Sequence, residues 1–200
     1  MIRKAILSGL LISLGGYGYL ALGGIPGAIL FTFGLVSILY LKLPLYTGKA
    51  GNVRIHIGAW GRDASDLYLH TLLPNIIGCL IVAGLFWLSS SDILRTRAAE
   101  LVISRQGIPL YLSFFKALGC GVIIDICVYL YRKTGSILPT LFGVPLFILC
   151  GFIHSVADAF YLVAGIQGLS WKAAIYYPLI VLGNFLGCNI PRLFGMKSEE

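Results

Sequence analysis

The chain has 200 residues, 58% of them hydrophobic and only 12% charged, with a formal net charge of +7. A soluble domain carries about twice that charged fraction, so a water-soluble enzyme or binding domain is excluded, and a single polytopic membrane domain is expected. The basic residues are scattered, with no basic-aromatic patch, so no nucleic-acid partner is expected.

Six spanning segments are predicted, all of them helical, because backbone polar groups in a bilayer must be satisfied within the segment. The first covers Ala5–Leu22. Its leading Arg3-Lys4 has the charge pattern of a signal peptide, but the apolar run continues past Gly15-Gly16 without a small-x-small site, so an uncleaved span is expected. The second, Pro26–Ile57, is longer than one crossing needs and is interrupted by Lys42, Pro44, Thr47-Gly48 and Lys49. The third is Leu67–Leu88, and the fourth is Ile108–Tyr131. The fifth, Ile137–Gly168, is again too long and is interrupted by His154, Ser155 and Asp158. The sixth is Trp171–Pro191. Broken backbone at membrane depth survives only where it is buried or lines a cavity, so two broken segments in corresponding positions point to a transport site.

The halves of the chain, about 1–90 and 106–195, look related. Asn75-Ile76-Ile77-Gly78-Cys79 and Asn184-Phe185-Leu186-Gly187-Cys188 lie 109 positions apart, and the polar breaks at Thr47 and Ser155 lie 108 apart. Three spans per half is odd, so the expectation is an inverted three-plus-three repeat. Of the 15 lysines and arginines, Arg95, Arg97, Arg105 and Lys172 fall on one side and Lys116 falls within a span. The others, Lys49 and Arg54 among them, collect on the side of the N-terminus, which predicts both termini in the cytoplasm.

His154 is the residue that most demands a role. An ionisable group inside an apolar stretch is expensive unless it faces a protein interior or a water path, and a histidine titrates near neutral pH. His56 and His70 are expected at the membrane interface. A Ser155–His154 catalytic dyad is geometrically poor, because adjacent residues on a helix point about 100° apart. No strong catalytic motif is present, so no enzyme is expected. The five cysteines form no CxxC pair, so they are expected to be small buried side chains, without a metal or other cofactor.

Four stretches in consistent order resemble the formate/nitrite transporter family. They are Gly27-Ala28-Ile29-Leu30-Phe31-Thr32-Phe33-Gly34-Leu35 with Leu45-Tyr46-Thr47-Gly48, then Gly121-Val122-Ile123-Ile124-Asp125, Gly151-Phe152-Ile153-His154-Ser155-Val156-Ala157-Asp158, and Leu182-Gly183-Asn184-Phe185-Leu186-Gly187. The resemblance implies an aquaporin-like six-helix protomer in the inner (plasma) membrane, assembled as a homopentamer with a pore in each protomer. It implies an outer constriction of Phe31, Leu35 and Phe147, an inner one of Leu45 and Tyr46, and Thr47 and His154 between them. The implied activity is a channel or proton-coupled transporter for a small monovalent anion or its weak acid, such as formate, nitrite or hydrosulfide. Lys49 would gather anions at the inner mouth.

Three positions depart from the family pattern: Ile153 stands where a glutamate is usual, and Asp125 and Asp158 stand where asparagines are. The resemblance places both aspartates near His154. Ionised, they would repel an anion; protonated, they would act much like the amides; a Lys116–Asp158 pair is a third possibility. The alternative functions are therefore the same fold selecting a cation or neutral solute, or a non-conducting membrane protein.

Overall fold

The computed structural model describes residues 1–53, 60–166 and 171–196, and among these it is entirely helical outside short connections. Arg54, His56 and the predicted segment ends at Ile57 and Gly168 lie outside the described residues. The elements are α1 (Ile2–Leu22), α2 (Gly24–Tyr40), α3 (Tyr46–Ala50), α4 (Trp60–Leu67), α5 (Leu73–Ser89), α6 (Asp92–Gly107), α7 (Leu110–Thr134), α8 (Leu138–Leu149), α9 (Ser155–Ala164) and α10 (Trp171–Leu193). A π-helical turn, Tyr68–Leu72, joins α4 to α5 without a break.

Among the described residues, four helices are long and apolar enough to cross a membrane: Ile2–Leu22, Asp63–Ser89, Leu110–Thr134 and Trp171–Leu193. The other two predicted segments are each split in two, as α2 with α3 and α8 with α9. The splits have the same construction. The N–H of Leu43 donates to Ile38 O and that of Phe152 to Phe147 O, closing the end of α2 and of α8 alike. The chain then turns through a left-handed residue, Lys42 at φ 51° and Gly151 at φ 69°. An extended residue follows, Leu45 in one case and His154 in the other, and a new helix starts.

Each split is held by an asparagine from a neighbouring helix. The Asn75 side chain accepts from the Tyr46 N–H at 2.9 Å and donates to Ala5 O and Pro44 O. The Asn184 side chain accepts from the Ser155 N–H at 2.7 Å and donates to Ala117 O and Ile153 O. The bonds to Tyr46 N–H and Pro44 O, and to Ser155 N–H and Ile153 O, satisfy backbone groups that a broken helix leaves open, where each open group costs about 1–3 kcal/mol. The bonds to Ala5 O and Ala117 O tie the asparagines to α1 and α7. Close helix packing brings the asparagines into reach. A Cβ at Gly78 would strike Ile6 O of α1, and one at Gly187 would strike Leu118 O of α7, so both interfaces depend on the missing side chain.

The expected outer loop carrying Arg95, Arg97 and Arg105 is instead the 16-residue helix α6. Its arginines are tethers. Arg95 donates to Trp87 O near the end of α5, Arg97 to Leu20 O and Ala21 O at the end of α1, and Arg105 to Asp158 on α9. Carbonyls at helix ends lack helical partners, which is why guanidinium groups settle there.

Candidate functional site

Two cavities approach each other from opposite ends of the broken helices. One, of about 800 Å³, is lined by Leu35 and Leu45 together with Lys4, Lys42, Lys49 and Arg132. The other, of about 280 Å³, is lined by Phe31, Phe147, His154 and Tyr161 together with Arg105 and Lys116. We refer to them as the Lys49 and Arg105 cavities. Among the described residues, no Asp or Glu lines either one. Both walls therefore offer positive charge to an entering solute without a competing carboxylate at the surface.

Between the cavities the two splits meet. The Thr47 Oγ1 of α3 lies 2.9 Å from the His154 Nε2 that heads α9, a contact joining residues 107 apart in sequence. Both are buried, Thr47 at 0% and His154 at 2% exposure. The His154 Nδ1 accepts the N–H of Ala157 at 3.2 Å, so the imidazole caps its own helix. A backbone N–H can only donate, so Nδ1 carries the lone pair, the proton of the neutral ring sits on Nε2, and that N–H donates to Thr47. The phenyl rings of Phe31 and Phe147 meet edge to face, with centroids 5.9 Å apart, and the Phe147 ring is 6.1 Å from the imidazole. The septum is thus apolar on both sides, with one hydroxyl and one imidazole between.

The structure brings together Thr47, His154, Phe31 and Phe147, and puts Leu45 and Lys49 on one cavity wall. Leu35 lines the Lys49 cavity, whereas Phe31 and Phe147 line the other. Phe31 and Leu35 are four residues apart, one helical turn, which carries Leu35 further along the path. Tyr46 lines neither cavity: its hydroxyl donates to Val181 O at 3.1 Å, its N–H goes to Asn75, and it is fully buried. Asn75 and Asn184 hold the splits from behind.

The two aspartates line neither cavity, and each has an arginine. Asp125 accepts from Arg192 Nη2 at 2.8 Å, and the same guanidinium donates Nε to Gly51 O, beside the end of α3. Asp158 pairs with Arg105 and accepts the Tyr176 hydroxyl at 2.5 Å. Lys116 instead donates to Gly151 O at 3.2 Å, so the pair considered from sequence is made by Arg105. Arg105, Arg192 and Tyr176 are the residues that sequence reasoning missed. The available signal was the acid-for-amide exchange itself, since a buried carboxylate demands a partner.

Among the described residues, no group of three His, Cys, Asp or Glu side chains is close enough to hold a metal ion. Cys79, Cys120, Cys127 and Cys188 are buried, and Cys150 is exposed. Cys79 and Cys188 have a further use. The Cys79 thiol donates to Val156 O in α9, and the Cys188 thiol donates to Thr47 O in α3, each reaching the split of the other half.

The fold and these motifs have known counterparts. A family model described as formate/nitrite transporter matches residues 1–192. An uncharacterized transporter, YrhG, of Bacillus subtilis is 27% identical over 187 residues, covering 88% of this chain and 66% of its own length. A probable formate transporter of Methanothermobacter thermautotrophicus is 24% identical over 232 residues, covering 94% of this chain and 84% of its own. A solved pentameric formate channel with formate bound superposes with a TM-score of 0.83 at 15% identity, over 96% of this chain and 93% of that one. A structure described as an FNT family ion channel gives 0.81 at 17% identity, over 97% and 87%.

Proposed function

The chain belongs to the formate/nitrite transporter family, and on that premise we propose that it is a channel or proton-coupled transporter for a small monovalent anion or its weak acid, of the formate, nitrite or hydrosulfide class. The relatives are channels and transporters, not enzymes. The observation that carries the reading is the Thr47–His154 contact, buried between two acid-free, basic-walled cavities. A bare anion crossing the Phe31–Phe147 pair and then Leu35 and Leu45 would lose its hydration at a cost of many kcal/mol. A weak acid avoids this by crossing as the neutral molecule. The basic walls concentrate the anion, and the imidazole exchanges the proton at Nε2. Protonated from water in the cavity, with Nδ1 giving up its bond to the Ala157 N–H, it donates the Nε2 proton to the anion. With Nε2 then bare, it takes a proton back from the acid. The Thr47 hydroxyl gives the passing solute a second hydrogen-bonding partner.

In this reading the two halves are inverted repeats of three spans each within one transmembrane domain, which the paired asparagine bonds support. The Lys49 cavity is the cytoplasmic one, in keeping with the bias of basic residues, and the membrane is the cell's inner (plasma) membrane. The assembly is a homopentamer, as in the solved formate channel. Apolar side chains such as Ile29, Leu30 and Phe33 are exposed on the single chain and would face lipid or neighbouring protomers. The cation-selective alternative loses its basis, since both aspartates are neutralised by arginines and lie off the cavities. Flux in proteoliposomes tests the reading. Formate, nitrite, hydrosulfide and ammonium gradients are compared at pH about 5 and 7.5, either side of the ordinary histidine value of ~6.5. Anion flux that depends on pH, and loses that dependence in His154→Ala, is expected. Flux of ammonium alone, or anion flux indifferent to His154→Ala, would overturn it.

A further inference from the structure

Arg105 belongs at once to the cavity and to the protein behind it. It comes from α6 and lines the Arg105 cavity. Its guanidinium donates to Asp158, whose side chain is 1% exposed and lies behind the cavity wall, and it stacks 5.4 Å over the Tyr161 ring. The other Asp158 oxygen is held by Tyr176. A guanidinium has five N–H donors in a planar fork, so it can serve one carboxylate and a second oxyanion together. A cavity with an unopposed arginine would hold its anion as a trap. A cation fully claimed by its partner would exert little pull. Conduction needs binding that is strong enough to load and weak enough to release.

We propose that Arg105 is the anion-binding residue of this cavity, specific for small planar oxyanions such as carboxylates, and that Asp158 is a positioning residue: a built-in counter-ion that competes with the passing anion and sets how tightly the cavity holds it. The proposal rests on the anion-transport reading above. It also accounts for an acid at a position where the resembled family keeps an amide. An asparagine there could accept from Arg105 through its oxygen and donate its NH2 to the Tyr176 hydroxyl oxygen, but it would leave the arginine's charge unopposed.

The test is radiolabelled formate uptake into proteoliposomes over a range of formate concentrations, with size-exclusion chromatography as the control for assembly. In Asp158→Asn, the half-saturating formate concentration should fall about tenfold, the range that charge-assisted hydrogen bonds command, and the maximal rate should fall with it as release slows. In Arg105→Gln, half-saturation should rise. In the Arg105→Gln background, Asp158→Asn should leave half-saturation where it was. Should Arg105→Gln alone not assemble, as an unpaired buried carboxylate predicts, the double variant carries no buried charge and is compared with the unmodified protein. Raised half-saturation supports the proposal, and equal half-saturation overturns it. A lowered rate in Asp158→Asn with unchanged half-saturation also overturns it, leaving the transport reading intact. If the unmodified protein passes no small anion at all, both fall together.

Discussion

The two helix splits are the same object in backbone and different objects in chemistry. Both close on an i−5 carbonyl, turn through a left-handed residue, and hang from an asparagine that makes three hydrogen bonds. Yet the residue that heads the new helix is Leu45 in the first and His154 in the second. Leu45 makes no side-chain cap, whereas the imidazole caps α9 and meets Thr47. The two splits therefore share a backbone frame and differ in the side chain that heads the new helix. The asparagines that hold the frame line neither cavity, whereas His154 lines the Arg105 cavity.

The largest effects should come from breaking the frame. Asn75→Ala orphans the Tyr46 N–H and Pro44 O, and Asn184→Ala orphans the Ser155 N–H and Ile153 O, at roughly 1–3 kcal/mol apiece. Both variants should lose the monodisperse assembly peak in detergent, and by similar amounts. A protein that tolerates one and collapses with the other would show that the likeness of the splits is not energetic. Next comes the difference in chemistry. His154→Leu makes the two splits alike while keeping an apolar, similarly sized side chain. Formate flux should fall on the order of 10²-fold, the range for removing a group that transfers protons, with assembly retained. Flux that persists would place the essential asymmetry elsewhere.

These expectations also mark what the sequence made legible. The long apolar runs, their interruptions and the recurring Asn-x-x-Gly-Cys located both splits and both asparagines, because these features are local in sequence. The resemblance put Thr47 and His154 in one region between the constrictions, and the contact between them comes from the structure. Helix α6 was not legible: its arginines make it read as a polar loop, and the partners of Arg97 and Arg105 lie on helices distant in sequence. Nor were the partners of the aspartates, which lie 53 and 67 positions away and meet them only through packing. The resemblance groups Leu35 with Phe31, and the two share a helix face. A shared face does not fix depth along a path.

The smallest effect concerns the turn residues. Lys42 holds a left-handed conformation that costs a side-chain-bearing residue about 1 kcal/mol, and its counterpart is glycine. Lys42→Gly should raise the thermal midpoint slightly, and Gly151→Ala should lower it by a comparable amount. Equal and opposite shifts would make the likeness of the two turns quantitative. A drop in Lys42→Gly would mean that its side chain holds the turn.

The cysteine thiols and the Thr47–His154 contact tie each split to the other half, and this carries a consequence for the order of events during synthesis. When the first half emerges from the ribosome, Thr47 has neither His154 nor the Cys188 thiol to meet, because both are encoded more than a hundred residues later. The first split can be shaped early by Asn75, but it cannot be finished until the last helix arrives. The Thr47–His154 contact between the cavities waits for α9, and the Cys188 support behind Thr47 waits for α10.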